Sequence, residues 1–188
     1  MGVSETSLCN AALAKLGEDG ITSLTDASKA ARACNEAYAR CRDWLLRRHP
    51  WNFAETLVAL PALATAPAWG YARAFQLPAD FLRLLEIDGN PPYRLIGRTI
   101  HSDTAAPLKL RYTAQITDPN AFDVEFREVL ALKIAVEICE TVTGSTARVD
   151  SLERRLKQLL GEARNTDGQE NLPEELPDDD WFLAREAD

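Results

Sequence analysis

No run in this sequence nears the roughly 18 uninterrupted apolar residues that a membrane span requires, so the bilayer is not its solvent. There is no Gly-rich phosphate loop, H-E-x-x-H, G-x-S-x-G or metal-spaced Cys/His set, and these absences remove the commonest motif-borne enzyme classes. Histidine occurs only at His49 and His101. The cysteines Cys9, Cys34, Cys41 and Cys139 lack C-x-x-C spacing and fall in helix-like segments, which makes them reduced core residues. Cationic surplus is missing as well: 21 Lys plus Arg stand against 29 Asp plus Glu, a net charge of -8. A generic phosphate-backbone binder needs the opposite balance. Residues 1–20 have no basic n-region and are interrupted by Glu5, Asn10 and Lys15, so the expectation is a protein that is not secreted.

What remains is a chain of 188 residues, 46% hydrophobic and 27% charged, a composition that suits one domain or one domain with a smaller insert. The charge is unevenly spread. Residues 165–188 hold nine acidic groups against Arg185 alone, while residues 1–164 carry 20 charges of each sign.

Helical periodicity appears first near Ser4, a candidate N-cap, with Leu8, Ala12, Leu13 and Leu16 on one stripe and Gly17 as the stop. The next helix is predicted over 28–49 from Cys34, Ala37, Tyr38, Cys41, Trp44 and Leu45, and Pro50 ends it. Its polar side carries Lys29, Arg32, Arg40, Arg42, Arg47 and Arg48 against Glu36 and Asp43, either as a solvated face or, through Arg32, Arg40, Arg47 and Arg48, as a basic interface. From 51 to 117 prolines punctuate short runs, and strands are predicted at 56–60, 72–77, 82–87, 93–96 and 108–112. Asp88-Gly89-Asn90 and Gly97-Arg98 read as hairpin connections. Helix signals return after Asp118-Pro119, with Asp123 an equally good later cap. The run 126–139 is apolar on most sides and must be surrounded by other helices or by a neighbouring subunit. After Gly144-Ser145, a clean stripe of Val149, Leu152, Leu156, Leu159, Leu160 and Ala163 predicts an antiparallel partner helix.

The fold class expected is therefore α+β: a bundle of about four helices from 1–50 and 118–165, an antiparallel β module inserted over 51–117, and an acidic tail over 166–188. Trp181, Phe182 and Leu183 follow three aspartates in that tail, and exposed aromatics are costly unless they dock. They serve either as a docking anchor or by packing back on their own domain.

No constellation reaches the threshold for catalysis. His49 precedes Pro50 and reads as a cap. His101 and Ser102 are strand neighbours that point to opposite faces. Glu86 and Asp88 share a strand face, a common arrangement on half-exposed strands. No enzymatic activity, cofactor or metal is expected, and a small hydrolase built on His101 or on Glu86 and Asp88 is the weakest rival.

The ordered series then resembles a known family. Ala37-Tyr38-Ala39-Arg40-Cys41-Arg42-Asp43-Trp44-Leu45-Leu46 leads into His49-Pro50-Trp51-Asn52-Phe53-Ala54. Trp69-Gly70-Tyr71-Ala72 and Phe75-Gln76-Leu77-Pro78-Ala79-Asp80-Phe81-Leu82-Arg83-Leu84 follow, then Tyr112, Ile116-Thr117-Asp118, Phe122-Asp123, Phe126 and Thr143-Gly144-Ser145. Over residues 4–165 this is similar to the tail tubular protein A family of short-tailed bacteriophages, the head-to-tail adaptor. The resemblance implies a non-catalytic virion protein, made in the host cytoplasm, whose copies, usually twelve, form a ring beneath the portal. The ring joins the portal protein to the tail nozzle protein and leaves a channel through which DNA passes without sequence-specific binding. The mechanism expected with such a ring has Trp181, Phe182 and Leu183, which lie outside the matched residues, dock to the portal, the arginines of the second helix form a subunit or portal interface, and Tyr93, Arg94 and Arg98 face the nozzle. The alternative is a cytosolic, non-enzymatic interaction adaptor that uses the acidic tail.

Overall fold

The structure, a computed structural model, describes residues 2–170. Trp181, Phe182 and Leu183 lie outside the described residues. The chain is α+β. Two helices, α1 (Glu5–Leu16) and α2 (Lys29–Arg48), precede six strands, and α3 (Val124–Thr143) and α4 (Val149–Gln169) follow them. The helix boundaries have local causes. Ser4 and Ser7 form a reciprocal capping box, and Gly17 closes α1 in the left-handed region at φ 78°. Both candidate starts after residue 117 are used. Asp118 caps a single 3-10 turn, Pro119–Ala121, and Asp123 caps α3.

α3 packs against each of the other three helices. Its Phe126, Val129, Leu130, Ala131, Leu132, Ile134, Ala135, Ile138 and Cys139 are all buried, which accounts for the nearly continuous apolar run. All four cysteines are free and buried. Burial raises the Cys41 thiol to about 11.

The strands are β1 (Glu55–Leu60), β2 (Arg73–Gln76), β3 (Phe81–Ile87), β4 (Tyr93–Ile96), β5 (Thr99–Ser102) and β6 (Leu108–Ala114). They form two antiparallel three-stranded sheets, ordered β1-β6-β3 and β2-β5-β4. Leu60, Phe75, Leu77, Ile87, Ile100, Leu108, Leu110 and Tyr112 form a second core shared by both sheets, apart from that of the helices.

Three expectations need correction. First, β5 was not among the predicted strands, because Thr99-Ile100-His101-Ser102 offers a single apolar residue for the core. Second, Asp88-Gly89-Asn90 makes a tight turn, with Asn90 N–H donating to Ile87 O at 2.9 Å, but β3 and β4 belong to different sheets. Only Gly97-Arg98 closes a hairpin, pairing Ile96 with Thr99. Third, α4 runs through Gln169, so the expected tail boundary at 165 falls inside a helix and Asp167 belongs to the folded body. Helix periodicity misses this extension because Asn165, Thr166, Asp167 and Gly168 are poor helix formers.

Candidate functional site

The most specific sequence segment, His49-Pro50-Trp51-Asn52-Phe53-Ala54, builds a corner where α2 turns into β1. His49 is the C-cap of α2. Trp51 is 1% exposed, and its indole Nε1–H donates to Leu45 O at 3.0 Å, satisfying a carbonyl that the helix end leaves open. Its ring meets His49 and Phe126 edge-on, and Phe53 extends the cluster to Phe122 and Phe126. Asp167, reaching in from α4, is the hub. Its Oδ2 lies 2.9 Å from His49 Nε2, its Oδ1 accepts from Asn52 N–H at 3.1 Å, and its carbonyl accepts from Asn52 Nδ2 at 2.8 Å. Asp167 is 8% exposed. Burial pushes the His49 imidazole below its ordinary value, against the pull of Asp167, with Arg164 and Arg83 acting in the direction of burial.

A second corner comes from Leu77-Pro78-Ala79-Asp80-Phe81-Leu82-Arg83. Asp80 Oδ1 accepts from Tyr112 Oη–H at 3.0 Å, Asp80 O accepts from Gln115 N–H at 2.7 Å, and Phe81 stacks on Tyr112. Leu82 O accepts from Arg47 of α2, and Pro78 O from Arg98. The two segments thus link the helices to the strands. Neither holds a nucleophile beside a base.

The chemical candidates are engaged elsewhere. Ser102 Oγ lies 3.0 Å from both Pro92 O, to which it donates, and Thr104 Oγ1, whereas His101 Nε2 lies 3.0 Å from Thr99 Oγ1. The structure does not bring Ser102 and His101 together. Glu86 pairs with Arg111 at 2.8 Å and Asp88 with Lys109 at 3.3 Å, while Arg111 also reaches Glu55 at 3.4 Å. This ladder crosses all three strands of its sheet. Among the described residues no group of three His, Cys, Asp or Glu side chains gathers to hold a metal ion. No described helix is long and apolar enough to cross a membrane.

Arg42, read as part of the polar side of α2, is instead buried and pairs with Asp43 at 2.7 Å, whereas the four arginines proposed as a basic interface are all at the surface, each with a partner in its own chain. Arg32 donates to Ala27 O at 3.0 Å, and Arg40 pairs with Glu137 of α3 at 3.2 Å. Arg47 holds Leu82 O, and Arg48 sits 4.3 Å from the Trp44 ring centroid, which Lys133 also approaches. Exposed as they are, these contacts leave charge available to an outside partner.

The nozzle candidates lie together. Tyr93 and Arg94 are on β4, an edge strand exposed along its whole length, and Arg98 is in the turn beyond it. Arg98 is committed to Pro78 O and Ala79 O. The Arg94 side chain has no ion pair or hydrogen bond among the described residues. Beside it a pocket of about 220 Å³ is lined by Trp69, Tyr71, Ile96 and His101 among others, and Trp69 is 79% exposed. Sequence reading missed the exposure of Trp69 and Leu57, since a lone aromatic or Leu in a Pro-rich run gives no facing signal. It also missed the Asp167 hub, whose partners are more than 100 residues distant in sequence. No family model matches this chain, and no curated protein matches it either.

Proposed function

We propose that this chain is a structural head-to-tail adaptor of a short-tailed phage, a non-catalytic subunit of a ring that joins portal to nozzle and leaves a channel for DNA. In this reading the four helices act as one antiparallel bundle carrying the strands as an insert between α2 and α3. The observation that carries the proposal is the ordered motif series itself, whose two most specific segments form the two corners tying helices to strands. A series whose members interlock as junctions supports the likeness of a whole architecture, which an isolated motif would not.

Neighbouring copies contact heterologously, and such contacts close into a ring when the rotation closes. The surface arginines Arg32, Arg40, Arg47 and Arg48 face the next subunit or the portal. Trp181, Phe182 and Leu183 dock to the portal as buried aromatic anchors do, and Tyr93, Arg94 and Arg98 face the nozzle. The channel wall does not grip DNA, because residues 1–164 balance 20 charges of each sign and counterion release gives duplex little gain.

Native mass spectrometry and negative-stain imaging of the protein, alone and mixed with the portal of the same particle, test the reading. A closed ring in either sample is expected. A chain that stays monomeric and does not bind the portal sinks the adaptor reading and leaves the cytosolic interaction adaptor as its replacement.

A further inference from the structure

We infer that the free edge of β4 is the seat of the chain's own C-terminal segment, with Trp181, Phe182 and Leu183 laid along Tyr93, Arg94 and Leu95 as an added strand. A two-residue connection at Gly97-Arg98 makes Ile96 and Thr99 the closing hydrogen-bonded pair, with Gly97 at φ 58° as a type II′ turn requires. Alternation along an antiparallel ladder then turns the N–H and C=O of Ile96 and Arg94 toward β5, and those of Leu95 and Tyr93 outward. Among the described residues no strand takes them up.

Edge strands of native proteins are normally blunted by charge, proline or a covering element. β4 is preceded by Pro91 and Pro92 but presents Tyr93 at 45%, Leu95 at 45% and Ile96 at 49% exposure, with Trp69 nearby. The opposite edge of the same sheet is shielded, since Leu63 N–H donates to Ala74 O and Ala62 bridges Phe75. The edges of the other sheet, β1 and β3, bear Glu55 and Glu86. By contrast β4 and its hairpin turn carry Arg94 and Arg98 and no carboxylate, and Arg94 keeps its side chain without a partner among the described residues while Arg98 holds Pro78 O and Ala79 O.

An occupant that fits is therefore acidic and aromatic. Residues 171–188 hold seven carboxylates against Arg185, with Asp178, Asp179 and Asp180 directly before Trp181, Phe182 and Leu183. Reach is sufficient. The eleven residues from Glu170 to Trp181 span about 36–40 Å when extended, against a radius of gyration of about 15 Å for a body of this size. Backbone pairing supplies the affinity of such strand addition, and alternate side chains supply the selectivity. If the adaptor reading also holds, the portal draws the segment away and uncovers β4 for the nozzle, which orders the two attachments.

Residue-resolved amide exchange on the full-length chain tests the pairing, with Arg94 and Ile96, bonded to β5, as internal references. Tyr93 and Leu95 amides are expected to be protected in the wild type and to exchange about tenfold faster or more in the variant W181A/F182A/L183A and in R94E. Free exchange of Tyr93 and Leu95 in the wild type overturns the proposal. So does protection that survives the triple substitution, and so does protection that appears only as concentration rises, which assigns the edge to a second copy. Native mass on the same samples reads ring formation separately, so the failure of this pairing and the failure of the adaptor reading are distinguishable.

Discussion

Replacing Asp167 with alanine removes the acceptor of two donors, His49 Nε2 and the Asn52 N–H, in a half-buried corner. Losing these bonds is expected to cost about 1–3 kcal/mol, read as a lowered urea midpoint with an unchanged slope. His49 gives the same corner a pH dependence. Because burial holds its folded-state pKa below the ordinary 6.5, the unfolded chain binds the proton more readily. Its contribution to stability is complete above the unfolded value and is lost as pH falls through the folded one. His49→Gln is expected to flatten the slope of unfolding free energy against pH in that interval relative to wild type, although the variant itself is less stable at neutral pH. Thr113 is a contrasting case, fully buried with an Oγ1 that has no partner among the described residues. Thr113→Val removes an unsatisfied hydroxyl at nearly constant volume, and thermal denaturation is expected to show it neutral or stabilising by up to about 1 kcal/mol.

At the scale of elements, the β4–β5 hairpin depends on Gly97. A side chain there must adopt φ 58°, so Gly97→Val is expected to cost about 1 kcal/mol or more and to raise exchange at Arg94 and Ile96 before the helices respond. The helices were legible because their caps and stripes are local. Ser4, Gly17, Asp123 and Gly144 each do what their residue type does at a helix end. Four of the five predicted strands were placed within one residue of their ends, and 108–112 stops two short of β6. The partition of six strands into two sheets was not legible, since a turn such as Asp88-Gly89-Asn90 reads alike whether the chain doubles back or crosses to another sheet. The corner at His49 was half legible. Its segment stood out as specific, but its function as a donor site for Asp167 depends on a contact across 118 residues that no local pattern encodes.

For the whole molecule, the division of charge changes once α4 is seen to extend through Gln169. Asp167 and Glu170 move into the described body, so residues 1–170 carry 20 cations against 22 acids, and residues 171–188 carry six of the eight net negative charges. Deleting residues 171–188 is therefore expected to raise the isoelectric point sharply on a focusing gel while leaving the urea midpoint of the body nearly unchanged. A large fall in that midpoint would mean that the segment contributes to the body's core instead of to its surface. The hub at Asp167 has a mechanical consequence as well. Any pull exerted through residues 171–188 enters the body at the end of α4, where three hydrogen bonds join that helix to His49 and Asn52, beside the buried Trp51. Tension is thus delivered to the corner between helices and strands, and the last turn of α4 is clamped there against peeling.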